Sequence, residues 1–177
     1  MFSIYTNAQN TDKMITKLVN TNLISNLEKI PIGKEIMYGF DNRSDFLSCF
    51  SGKPIQVLTL DENTNLVKQN IWRVPIVLKG NNKILFTINI INNKFRIVDI
   101  GGVALAKELQ FYQNNKKMVL LRLYSNYLDF VSYLETDENI NNLKYIPLEA
   151  SEIFIDKASN HSSQKSFTID EIKALIK

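Results

Sequence analysis

The chain has 177 residues, of which 45% are hydrophobic and 22% charged, with a formal net charge of +3. That length fits one domain, and the composition is globular enough to build a core without metals or disulfides. The charge is too small and too scattered for a nucleic-acid binder, since only Lys116 and Lys117 stand adjacent in a loop-like context, and no apolar run approaches the roughly 18 residues of a membrane-spanning helix.

Residues 1–9, MFSIYTNAQ, are uncharged, first apolar and then small and polar. They resemble the last part of a bacterial signal peptide, with the Ala-Gln ending of some Gram-negative exported proteins, but lack a basic start and a full hydrophobic run. On this reading they are a signal remnant and the protein is periplasmic or secreted; the alternative is a cytoplasmic protein. Residues 11–29 predict a helix, with Met14, Leu18, Leu23 and Leu27 as an imperfect stripe and Asp12 near the positive end of the dipole. Pro31 and Gly33 end it. Residues 35–40 suggest a short strand, and residues 44–50 a brief helix stopped by Gly52 and Pro54. From 55 to 60 apolar residues fall on both parities, as in a strand covered on both faces. Residues 61–70 read as a loop.

The densest local signals lie between residues 72 and 112. Trp72, Val74, Ile76 and Leu78 alternate with Arg73, Pro75, Val77 and Lys79, which is the period of a half-buried strand. Pro75 marks it as an edge strand, because proline cannot donate to a ladder. A turn at Gly80-Asn81-Asn82 leads to a second face of Ile84, Phe86, Ile88 and Ile90, and Asn92-Asn93 suits a tight hairpin into a third strand at 95–100. Gly101-Gly102 breaks that strand. Val103, Leu105, Ala106, Leu109 and Tyr112 then recur at helical spacing.

Residues 118–124 form a nearly continuous apolar strand with Arg122 as its one charge. Tyr127, Leu128, Val131 and Leu134 have the spacing of a short helix, and residues 143–148 make a weak last strand, demoted by Pro147. The segment 157–167 is a polar linker. In the final segment, 168–177, Thr168 and Glu171 match a capping box before a short amphipathic helix carrying Ile169, Ile172, Leu175 and Ile176. The order predicts an α+β fold, a mainly antiparallel sheet of about five to six strands with helices packed on it, in a single domain over residues 10–156.

Chemistry is sparse. Cys49 is the only cysteine and His161 the only histidine, so they are the only thiol and imidazole that a dyad could use, and neither a disulfide nor a thiolate metal cluster is available. Cys49 lies in the apolar FLSCF and His161 in the polar linker, which favours a buried thiol and a solvated ring. Asp99-Ile100-Gly101-Gly102 opens a helix without matching a nucleotide-binding pattern. The pairs Asp61-Glu62 and Asp137-Glu138 read as solvated loop carboxylates, with no calcium-loop spacing. Asp99 shares strand parity with Phe95 and Ile97, and Arg122 with Met118 and Leu120, so the two either pair or sit at wet strand ends, the latter being favoured.

Arg73, Lys79, Thr87, Asn89 and Arg96 fall opposite the apolar strand faces and are the candidate ligand or partner surface, although an ordinary solvated sheet face explains them too. These features point to a noncatalytic binding or interaction domain, bacterial and exported, without cofactor or metal, whose partner is a protein or small ligand and not nucleic acid. Two alternatives stand beside it: a small-ligand carrier with an apolar pocket between sheet and helices, and an enzyme using carboxylates from separate loops.

Overall fold

The computed structural model describes residues 3–134, 139–158 and 165–176. Among the described residues it is an α+β fold with eight strands, more than the five to six expected, partly because two of them hold only two residues each. By chain contacts it divides into two compact units, Met1–Pro54 with Asn70–Phe111, and Ile55–Gln69 with Tyr112–Lys177.

In the first unit, helix α1 (Ser3–Leu27) starts earlier than its apolar stripe implied and takes in residues 3–9. Ile15, Val19, Leu23 and Leu27 are its buried stripe. The segment expected as a strand at 35–40 is instead a 3-10 turn at Glu35–Tyr38, closed by Gly39 at φ 79, a left-handed conformation that an extended strand cannot contain. A second 3-10 helix, Arg43–Ser48, begins at a capping box of Asn42 and Asp45. Strand β1 (Phe50–Ser51) follows.

Strand β3 (Leu66–Leu78) begins inside the segment expected as loop, and its part from Asn70 onward belongs to this unit. It pairs antiparallel with β4 (Asn81–Ile91), and β4 with β5 (Lys94–Gly101). The meander is therefore present, but β3 is not an edge beside Pro75, because β1 pairs with it through Phe50↔Val77 and Ser51↔Ile76. Gly52 N donates to Pro75 O at 2.7 Å. A residue's N–H and C=O point to the same side of a strand, so the proton that proline lacks faces β1 where that pairing ends, and the β4 ladder is untouched.

The β3–β4 turn is centred on Lys79 (φ 50) and Gly80 (φ 77), earlier than the Gly80-Asn81-Asn82 turn the sequence suggested. Asn92 and Asn93 take left-handed conformations at φ 51 and 57, as a two-residue hairpin requires. Helix α2 (Val103–Phe111) packs on β4 with Ala106 and Leu109 buried. Gly102 starts it at φ 68, where a Cβ would also meet Leu85 at 3.5 Å. Trp72, Val74, Ile76, Ile84, Phe86 and Ile88 from the strands meet the stripe of α1 in one apolar cluster.

The second unit holds β2 (Ile55–Leu60), β6 (Lys117–Leu123), β7 (Leu128–Leu134) and β8 (Ile146–Pro147). β2 pairs with β6 in parallel, and β6–β7 and β7–β8 are antiparallel. β7 corrects the expected helix: its helical spacing is real, but Phe130, Val131 and Tyr133 favour a pleated strand, and β6 offers seven paired positions from Leu123↔Leu128 to Lys117↔Leu134. Helix α3 (Glu149–Ala158), which no sequence signal announced, packs on β7, and its end runs into the expected polar linker. Helix α4 (Ile169–Leu175) carries the predicted capping box of Thr168 and Glu171. Phe167, Ile169 and Ile172 are buried with Leu58, Leu121, Phe130 and Tyr145, and Tyr145 and Phe167 exchange two 2.8 Å backbone hydrogen bonds. No helix among the described residues is long and apolar enough to cross a membrane.

Candidate functional site

The predicted surface residues divide. The strand register sets Arg73 opposite Thr87 and Thr87 opposite Asp99, and in the next row sets Asn89 opposite Arg96. Arg73 and Thr87 are hydrogen-bonded to each other, and Arg73 Nη1 lies 4.0 Å from Asp99 Oδ2. Thr87 is buried and Arg73 largely so, whereas Arg96 is exposed and Asn89 half-buried with its Oδ1 accepting from Ile90 N at 2.7 Å. Lys79 does not join them, because it lies in the β3–β4 turn.

Asp99 does not pair with Arg122. A β-bulge between Thr87 and Ile88 leaves Val98 without a partner residue, so the parity that carries Phe95 and Ile97 inward passes to Ile100, while Asp99 turns outward. Arg122 instead makes two bonds to the facing Asp129, Nε to Oδ1 at 2.8 Å and Nη2 to Oδ2 at 2.7 Å. Burial lowers the guanidinium pKa, but the bonds and charge of Asp129 outweigh it and leave it raised. The hydroxyl of Ser151 on α3 contacts Asp129 N and O at 2.7 and 2.8 Å, so this cluster joins α3 to the sheet.

Cys49 is half-buried, its thiol donating to Asp45 O at 3.3 Å; burial, and then the Asp45 carboxylate, push it up to about 11. At neutral pH it is a thiol and not a nucleophilic thiolate. His161, Asp137 and Glu138 lie outside the described residues. Asp61 closes its own loop by accepting from Asn63 N and Asn65 N, and no group of three or more metal-ligating side chains occurs among the described residues. A cleft of about 370 Å³ is lined by Asn81, Asn82, Lys83, Lys107, Gln110 and Phe111. Asn82 N donates to Gln110 Oε1 at 2.8 Å and its Nδ2 to Ala106 O at 3.1 Å, while its buried Oδ1 has no protein partner.

The best-defined surface lies where sequence patterning gave no site, between residues 28 and 51. Arg43 fixes it. Its Nη1 donates to Ile30 O at 2.8 Å and Glu35 Oε1 at 3.0 Å, its Nη2 donates to Glu28 O at 2.8 Å, and its guanidinium stands 5.2 Å from the Phe46 ring centre. Phe46 meets Phe40 edge to face at 5.1 Å. A bond from its own backbone amide and then the Arg43 guanidinium hold the Glu35 carboxyl below its ordinary value. On this anchored frame Ile32, Ile36 and Leu47 are 86, 79 and 77% exposed, with Met37 and Phe50 more than half exposed. The asparagine-to-aspartate capping pair at 42 and 45 was the one readable sign of order in the segment.

Comparison with known proteins finds no matching family model, no matching curated protein and no matching solved structure.

Proposed function

We propose that this chain is a noncatalytic interaction domain that binds a protein partner through Ile32, Ile36, Met37, Leu47 and Phe50. The supporting observation is the exposure of these five large apolar side chains on a frame held by Arg43 and the Phe40–Phe46 contact. Large apolar side chains exposed within one ordered segment of the chain are a feature of binding surfaces. Along the segment Lys29, Lys34, Arg43 and Lys53 are matched by Glu28, Glu35, Asp41 and Asp45, and Lys83 adds a cation beside Gly39 and Cys49. Apolar burial against a protein is the interaction these five side chains offer.

Fully burying Ile36 and Leu47 would each contribute about 1.5–3 kcal/mol. Photocrosslinking from positions 36 and 47 in the native host should give a discrete product, and the partner it identifies should bind the Ile36→Lys, Leu47→Lys double variant at least about 100-fold more weakly. Equal affinity for wild type and double variant, with both folded, would overturn the assignment.

A further inference from the structure

We propose that the cleft between the β3–β4 turn and the end of α2 binds a small organic anion that carries a flat ring and an N–H or O–H donor. All six residues lining it belong to the first unit. Its volume of about 370 Å³ is of the size that ligand pockets occupy, roughly 300–1,000 Å³.

The need for a donor comes from Asn82. β5 accompanies β4 as far as the Leu85↔Gly101 pair, and beyond it the N–H of Asn82 meets Gln110 Oε1 of α2 while Nδ2 meets Ala106 O. The opposite amide orientation would set Oδ1 against the Ala106 carbonyl oxygen, so the helix fixes which end of the amide is which. Oδ1 is thereby left without a donor among the described residues, in a residue that is 2% exposed. A buried acceptor is costly unless a donor meets it, and an apolar side chain of similar shape would avoid that cost. A donor entering the cleft that Asn82 lines accounts for an asparagine at this position.

Charge and shape come from the other walls. Lys83 and Lys107 line the cleft with no carboxylate beside them there, since Glu108, the next residue on α2, does not line it. The register shift between Ile76 and Val77 leaves Lys83 without a partner residue on β3, and such a bulge interrupts the alternation that separates successive residues onto opposite faces. Ammonium groups are donors only and complement a carboxylate or a phosphate. Phe111, 86% exposed at the end of α2, offers an aromatic face to a flat ring. Gln110 is used within the fold, with Oε1 on Asn82 N and Nε2 3.3 Å from Asn81 Oδ1, so it shapes the wall and does not read the ligand. The site shares no residue with the segment 32–50, and the proposal stands whether or not that segment binds a partner.

The test is calorimetric titration of the full chain with matched probes: 4-hydroxybenzoate and benzoate, 4-hydroxyphenyl phosphate and phenyl phosphate, and the neutral 4-hydroxybenzamide. A hydroxylated anion should bind with a Kd below about 1 mM and more weakly as salt is raised, and whether it is the carboxylate or the phosphate identifies the anionic group. Its counterpart without the hydroxyl, and the neutral amide, should bind at least about tenfold more weakly, because each leaves one of the cleft's polar groups unmatched. Lys107→Glu and Phe111→Ala, both at exposed positions, should each weaken binding at least about tenfold, and Asn82→Leu should erase the preference for the hydroxyl. Equal affinity for hydroxylated and plain probes, the result that a buried water on Oδ1 would give, would overturn the proposal. So would equal binding of the neutral amide, affinities unchanged in Lys107→Glu and Phe111→Ala, or no binding of either hydroxylated anion below about 1 mM. Should Asn82→Leu fail to fold, the comparison of hydroxylated and plain probes on the native chain decides the matter.

Discussion

Replacing Ile88 with alanine tests the core of the first unit where it is most enclosed. Ile88 is fully buried on β4, with Trp72 as its register partner on β3 and Ile97 on β5. Strands tied on both sides by ladder bonds cannot close over the lost methyl and methylene groups, so the cost should fall in the upper part of the roughly 2–5 kcal/mol range, about 4 kcal/mol. With a urea slope of about 2 kcal/mol/M, the midpoint should drop by about 2 M. Trp72 is the only tryptophan and stacks edge to face on Phe95 at 5.5 Å, so its fluorescence reports this cluster directly. Urea titrations followed by tryptophan emission and by far-ultraviolet circular dichroism would give the shift, and a split between the two signals would show the units unfolding separately. A midpoint lowered by less than about 0.5 M at unchanged slope would refute the enclosed placement of Ile88.

The folded-state pKa of Glu35 is depressed, so its stabilisation is present above the ordinary value of 4.5 and is lost as pH falls through the folded value; Glu35→Gln should flatten that acid limb, and an unchanged limb in denaturation titrations would count against the Arg43 anchor. With Cys49 at about 11 against an ordinary 9.0, its thiolate fraction near pH 7.5 falls about 100-fold, so a disulfide reagent should modify it about that much more slowly than free cysteine. A comparable rate would contradict the buried thiol. Ending the chain at Asp156 removes the buried Phe167, Ile169 and Ile172, at about 1.5–3 kcal/mol each as an upper estimate. That approaches the whole stability of a domain, so calorimetry of the truncated chain should lose the second unit's transition, and a fully cooperative transition would show α4 to be dispensable.

The parts of the fold visible in the sequence were those governed by local backbone chemistry. Asn92 and Asn93 forecast a left-handed hairpin, Thr168 and Glu171 forecast a cap, and the alternation through Trp72 and Ile88 forecast the meander. The misreadings arose where tertiary pairing overrode a local period. Leu128, Val131 and Leu134 keep helical spacing inside a strand because β6 supplies the partner bonds. Asp99 kept the inward parity of Phe95 and Ile97 only until the bulge at Val98 reversed it, and a bulge leaves no alternation to count. Helix α3 escaped notice because its buried residues Ser151 and Ile155 are too few to make a stripe.

The candidate surface was hidden for a related reason. Ile30 is buried and Ile32 is exposed, two residues apart around Pro31, and nothing in IPIGKEIMYGF orders one inward and the other outward. In a helix or strand the period would decide. Here the decision comes from Arg43, thirteen positions further on, whose guanidinium takes the carbonyl of Ile30 and so fixes the direction in which the following residues leave α1. The neighbouring side chains Ile32 and Ile36 lie outside that clasp and are exposed. Glu35, the neighbour of Ile36, is held by Arg43, which is also bonded to the carbonyls of Glu28 and Ile30, so turning Ile36 inward by displacing Glu35 would loosen this clasp. A hydrogen bond to a charged group contributes about 1.5–3 kcal/mol, so loosening more than one of the Arg43 bonds would cost more than the about 1.5–3 kcal/mol gained by burying one isoleucine.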